Sequence, residues 1–238
     1  MTDEQALRRI YSLTEDLENS LRYDQGMMLR KSRAQEVQFI ESEPKAQAAA
    51  VQAPARLDMA SMNLESLKAC ISDCRQCQPN GRLFGQGPVK PKVMFILDQP
   101  SQSDVKAKAL FSGLEGAFFD KWIAAISLRR EDVFLTSLLR CHHDPIAKYA
   151  SPEVINCQAF LKTQIALVQP AFIFGLGELT AQVFFKRPDS LETLRGRIKP
   201  AFGVPVLCSY SMAQVLSDPA KKPLIWADLK TLRSNLEL

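Results

Sequence analysis

The chain has 238 residues, 46% of them hydrophobic and 24% charged, with a formal net charge of +4. That length and balance suit a soluble globular protein with a sizeable core and speak against a disordered chain. No apolar run reaches the roughly 20 residues of a membrane-spanning helix, and the opening MTDEQALRRIYSL lacks the basic-then-apolar pattern of a secretion signal, so a cytoplasmic protein is expected. In a reducing compartment six cysteines point to metal or thiol chemistry in preference to a disulfide framework. The mild excess of basic residues permits contact with a polyanion without demanding one.

Residues 1–43 carry Leu7, Ile10, Leu13, Leu17 and Leu21 at three- and four-residue steps, the stripe of an amphipathic helix. Such a stripe packs on the rest of the protein, on a second copy or on a protein partner. Residues 44–62 are rich in Ala, Gln and Pro and poor in large apolar side chains, which marks a linker. Residues 63–238 are then the main domain. It opens with a short helix from Asn63 to Asp73, and Gly and Pro in RLFGQGPVKPK mark turns.

Strands are expected at Val93–Leu97, Val133–Thr136, Phe172–Leu176 and Val204–Ser209. Helices are expected at Leu114–Leu128, Pro152–Val168, Glu178–Phe185 and Pro223–Asn235, with Ser151 as N-cap and Pro152 at the first position of the second. Apolar runs without alternation suit strands buried on both faces, and their alternation with helices predicts an α/β three-layer sandwich around a four-stranded, mainly parallel sheet. Sites in such sheets lie at the carboxyl ends of the strands.

Cys74 and Cys77 in CRQC, Cys141 in LLRCHHD and Cys157 in VINCQAF read as four ligands of one buried metal centre. A CxxC pair grips a metal from one turn, whereas Cys141 and Cys157, with fifteen residues between them, must converge through folding. Zinc also takes four thiolates, but its ribbons pair two close knuckles and Cys141 with Cys157 is not one. CISDCRQC also has the CxxxCxxC spacing of radical S-adenosylmethionine enzymes, a reading that leaves Cys141 and Cys157 without a role. Cys70 and Cys208 read as buried small hydrophobes.

From about Leu64 to Leu232 the chain resembles the family 4 uracil-DNA glycosylases, the iron-sulfur branch of their superfamily. CRQC, RLFGQG, DQPSQSD, LFSGLEG, TSLLRC, INCQAFL, GLGELTAQ, LRGRIKP and WADL carry the resemblance in the family's order. It implies the glycosylase fold, a 4Fe-4S cluster on Cys74, Cys77, Cys141 and Cys157, DNA as partner, and hydrolysis of the N-glycosidic bond of a deaminated or damaged base. It further implies that Phe111 stacks on the base and that Asp98 and Asp104 supply catalytic carboxylates.

Several positions depart from the family pattern. Gln99 and Ser101 stand in a turn that is GExPG-like elsewhere, Ser137 replaces the asparagine that reads the uracil edge, and Ser211, Met212 and Ala213 replace HPS. A serine offers one hydroxyl where an amide offers two donors and an acceptor. The resemblance still puts Gln99, Ser137 and Ser211 around the base, and Arg140, Lys148, Arg195, Arg197 and Lys199 at the pocket mouth for DNA phosphates. Met212 and Leu216 take the place of the DNA-wedging loop. His142 and His143, the chain's two histidines, follow Cys141. The alternative to an enzyme is a catalytically inactive DNA- or partner-binding module on the same fold.

Overall fold

Strand β1, Val93–Leu97, is apolar at every position and buried at every position, which requires cover on both faces. A computed structural model describes residues 62–77 and 81–236 and supplies that cover. Helix α1 (Leu64–Ser72) precedes β1. Helices α2 (Gln102–Ala107) and α3 (Gly113–Ala125) follow it, and a single 3-10 turn leads into β2 (Val133–Ser137). The chain continues through α4 (Pro152–Val168), β3 (Phe172–Leu176), α5 (Glu178–Phe185), α6 (Leu191–Leu194), β4 (Lys199–Ala201) and β5 (Val204–Ser209). It ends with α7 (Met212–Ser217), a second 3-10 turn and α8 (Lys222–Asn235).

The sheet order is β2-β1-β3-β5-β4. β1 lies between β2 and β3, parallel to both, and β5 runs parallel to β3. The expected α/β fold is present, with one strand more than the sequence suggests: β4 pairs antiparallel with β5 at the edge. The aromatic core spans the sheet and the helices above it, with Phe95 against Phe119 at 4.9 Å and against Phe174 at 5.5 Å. On the opposite edge, RLFGQG runs along β2 and exchanges Gln86 and Leu135 backbone hydrogen bonds of 2.9 and 2.8 Å. Gly85 and Gly87 take positive φ there, and a Cβ on either would strike the β2 backbone. This segment covers an edge that would otherwise offer unpaired backbone groups.

Strand order decides where a crevice opens. The chain leaves β1 for β2 on one side, then crosses back over β1 to β3, so the loops after β1 and β3 diverge at their carboxyl ends. Asp98 follows β1 and Gly177 follows β3. No helix among the described residues is long and apolar enough to cross a membrane. The amphipathic stripe of residues 1–43 and nearly all of the linker lie outside the described residues.

Candidate metal centre and strand-end loops

Four cysteines from three segments line one cavity. Cys74 and Cys77 follow α1, whose Leu67 and Ile71 pack on Phe160 of α4. That contact brings the CRQC turn toward Cys157, which sits in the second turn of α4. Cys141 arrives from β2 through Leu138 and Leu139, whose N–H groups donate to the carbonyls of Leu97 and Asp98 at 2.7 and 3.0 Å. Burial pushes the Cys141 thiol up to about 12, and its repulsion from Cys77 and Cys157 adds to the rise. Cys77 is raised by burial and then by Cys74. The four thiols border one cavity, and a metal bound there would draw off their protons. Among the described residues no three His, Cys, Asp or Glu side chains are gathered as tightly as the ligands of a metal ion. All four thiols nevertheless border one cavity, the donor set that a thiolate-bound metal centre requires. Cys70 packs beside the α1–α4 contact, and Cys208 is buried in the sheet beneath Gly175.

Arg140 lines the same cavity. Its side chain is 2% exposed, and Nη1 donates to Thr136 Oγ1 at 2.5 Å and to the Phe84 carbonyl at 3.1 Å. This burial corrects the expectation that Arg140 meets DNA phosphates: the guanidinium lies inside the protein, beside the cysteines. Its Nε and Nη2 are buried without a partner, so the cavity presents unused N–H donors to whatever fills it. Four thiols and a cation with spare donors suit an anionic iron-sulfur centre.

The loops after the strands hold the other expected residues. Asp98 bridges the crevice between β1 and β3. Its Oδ1 accepts the Thr180 N–H at 2.7 Å and its Oδ2 the Leu179 N–H at 3.4 Å, so it caps α5, whose own N-cap Gly177 has no side chain to do so. The residue keeps part of its surface open, yet burial of the carboxylate outweighs these bonds and raises its pKa to about 6 from 3.8.

The sign of the resulting pH dependence follows. The native state holds a proton that the unfolded chain releases, so this contribution to stability is complete below about pH 4 and lost as pH rises through about 6. Two pKa units correspond to at most about 3 kcal/mol, trimmed by the remaining solvent contact. Chemical denaturation of wild type and Asp98→Asn at pH 4, 5, 6 and 7 should show a stability difference that changes by about 1–3 kcal/mol across this window and is flat above it.

Asp104 is 2% exposed. One carboxylate oxygen accepts the Ser101 N–H at 3.0 Å in the capping box of α2; the other accepts the Ser112 N–H at 2.7 Å and the Ser112 hydroxyl at 2.8 Å. Asp104 thereby fixes the turn that carries Phe111, a residue with φ of 56° whose ring packs on Phe119 at 4.4 Å. Gln99 forms an amide pair with the backbone of His143, accepting its N–H at 3.1 Å and donating to its carbonyl at 2.9 Å. His142 Nδ1 donates to the Pro100 carbonyl at 2.9 Å, because a carbonyl can only accept. The β1 exit is therefore tied to the residues after Cys141, a link that nothing in the local sequence announces.

Ser137 ends β2 fully buried, with its hydroxyl unpartnered. Ser211 is the N-cap of α7, accepting the Gln214 N–H at 3.3 Å. Met212 is fully buried, which corrects its expected role as a DNA wedge: it packs inward at the start of α7, while Leu216 keeps a partly exposed side chain. Arg195 forms a two-pronged ion pair with buried Asp228, at 3.1 Å from Nε and 2.8 Å from Nη2, and so is already committed. Arg197, Lys148 and Lys199 are exposed. Sequence reasoning passed over Glu115, half-buried in the first turn of α3, whose carboxyl is raised by burial and by neighbouring Asp104.

The sequence profile of the uracil DNA glycosylase superfamily matches residues 84–230, which include the whole sheet, every strand-end loop and two of the four cysteines. The chain belongs to the uracil DNA glycosylase superfamily. Among its relatives, the type-4 uracil-DNA glycosylase of Archaeoglobus fulgidus is 28% identical over 182 residues, covering 71% of this chain and 92% of the relative. That of Saccharolobus solfataricus is 26% identical over 188 residues, covering 73% and 87%. That of Pyrobaculum aerophilum is 28% identical over 180 residues, covering 71% and 92%. In this superfamily member, Asp98 stands at the crevice between β1 and β3, bonded to the start of α5.

Proposed function

We propose that the protein is an iron-sulfur DNA glycosylase of the uracil type, hydrolysing the N-glycosidic bond of a deaminated or damaged base in DNA. Asp98 carries this reading: a half-buried residue whose carboxyl is raised by burial to about 6 stands at the crevice where an α/β sheet places its ligands. Two of its lone pairs hold the start of α5, and a carboxylate has about four, so capacity remains to orient the attacking water. On this reading base entry uncovers two buried groups, the unpartnered Ser137 hydroxyl for the base edge and the Phe111 ring for stacking. Arg197, Lys148 and Lys199 supply phosphate contacts, which require only positive charge. Cys74, Cys77, Cys141 and Cys157 would hold a 4Fe-4S cluster that joins the CRQC turn to the end of β2 and to α4; bound there, it supplies a structural tie and a one-electron couple. These thiols are best kept in a reducing cytoplasm.

The leaving base receives no imidazole from the α7 entry, where Ser211 is spent on its helix. Loss of one such donor costs about a hundredfold to a thousandfold in rate, so turnover is expected to be slow. The test is release of abasic sites from single-stranded oligonucleotides containing uracil, followed across pH. Cleavage should rise with pH through about 6 as Asp98 ionises. Asp98→Asn should lower it by about a hundredfold or more and remove that limb.

A second reading, an inactive DNA-binding module, is favoured by the burial of Asp104, whose carboxylate already accepts three hydrogen bonds from Ser101 and Ser112. Retained DNA binding with no cleavage of uracil or other damaged bases by cluster-loaded protein would select it.

A further inference from the structure

Arg140 is among the largest fully buried side chains, and burial of a guanidinium costs several kcal/mol unless an anion answers it. No carboxylate among the described residues forms an ion pair with it, in contrast to Arg129, Arg130, Arg187, Arg195 and Lys221, each of which meets an acid. Neutral oxygens hold only one end of the group. Nη1 bonds to Thr136 Oγ1 and the Phe84 carbonyl, Thr136 donates to Gln164 Oε1 at 2.8 Å, and Gln164 donates to the same Phe84 carbonyl at 2.7 Å. This closed ring of bonds fixes the plane of the fork. The remaining edge, Nε and Nη2, is buried and unpaired, and the cavity it borders is the one lined by the four cysteines.

Resting on the iron-sulfur reading above, we infer that Arg140 is the internal counter-cation of the cluster, its Nε–H and Nη2–H groups donating to cluster or cysteinyl sulfur. Hydrogen bonds to sulfur and nearby positive charge stabilise the reduced, more negative state, so Arg140 raises the reduction potential. The role requires the guanidinium shape: an ammonium keeps the charge but lacks the rigid fork that satisfies Thr136 and the sulfurs together.

The experiment uses the full chain purified anaerobically as wild type, Arg140→Lys, Arg140→Gln and Thr136→Val. Iron and acid-labile sulfide are assayed first, and the reduction potential is then followed by voltammetry and electron paramagnetic resonance. Arg140→Gln is expected to disfavour reduction by about tenfold, equivalent to about 59 mV for one electron, with Arg140→Lys between it and wild type. Thr136→Val, which removes an acceptor on the far side of the fork, should leave the potential near wild type. Loss of the cluster from both Arg140 variants but not from Thr136→Val also supports the inference. Equal potentials in fully loaded variants, or cluster loss in Thr136→Val as complete as in Arg140→Gln, would overturn it in favour of a purely structural tie. Wild type that binds DNA but contains no iron or sulfide would instead refute the cofactor reading, and this inference with it.

Discussion

Serine in place of Cys157 is expected to release α1 from the domain and lower the melting temperature by roughly 10 °C. Little else holds α1. Its apolar contact with α4 is small, Leu67 and Ile71 against Phe160, with Cys70, Cys74, Phe84 and Leu167 partly buried around them. Full burial of two aliphatic side chains contributes about 3–6 kcal/mol. Ordering a nine-residue helix costs about 1–2 kcal/mol per residue, so this contact alone falls short. The capping box of Asn63 and Ser66 adds only about 1 kcal/mol. On the iron-sulfur reading proposed above, the deficit is met by a centre that would join Cys74 and Cys77 to Cys141 and Cys157. On that reading its loss also leaves Arg140 as a buried charge without an anion, a defect worth about 3–5 kcal/mol. Limited proteolysis should then cut near residues 73–82 in the variant and spare wild type, and calorimetry should record the fall. An unchanged cleavage pattern and melting temperature would show that packing holds α1 without the centre.

How much of this was legible beforehand depends on the range of each interaction. Strands β1, β2 and β3 are short runs buried at every position, and β5 is buried over its last four residues; such runs stand out in a sequence. β4 does not: Lys199–Ala201 is three residues, largely exposed, with Pro200 tolerated because the strand lies at the sheet edge. Helices α2, α6 and α7 span four to six residues, too few for an apolar period. Two of them did carry a local signal, the capping boxes Ser101–Asp104 and Ser211–Gln214. That same signal explains why Asp104 and Ser211, assigned to chemistry on the family pattern, are occupied by helix termini. The cysteines were readable because thiol spacing is itself a chemical constraint. Arg140 and Met212 were placed at the surface because charge type and motif position say nothing about burial. Arg140 donates to the Phe84 carbonyl, fifty-six residues away, and Gln99 is tied to His143, forty-four away. Partners at such separations appear only once the chain has folded.

Gly177→Ala is expected to be as damaging as the loss of a cysteine, although it adds one methyl group. Gly177 has φ of 121° and ψ of 168°, a region open essentially to glycine alone, and forcing another residue into it costs about 1–3 kcal/mol. A Cβ there would also stand 2.6 Å from Asp98 Oδ1 and closer still to Oδ2 and Cγ. The carboxylate cannot yield cheaply, because it is bonded to the Leu179 and Thr180 N–H groups at the start of α5. Overpacking of this kind adds about 1–3 kcal/mol. The sum, about 2–6 kcal/mol, corresponds to a melting temperature lower by roughly 10 °C. If the clash with Asp98 is the larger part, trimming that side chain must relieve it. Asp98→Ala combined with Gly177→Ala should therefore be more stable than the sum of the two single effects predicts, by about 1 kcal/mol or more. Additivity within about 0.5 kcal/mol would assign the whole effect to backbone strain and leave Asp98 free of Gly177. A coupled result would mean that the crevice between β1 and β3 has room for the Asp98 carboxylate only because position 177 has no side chain.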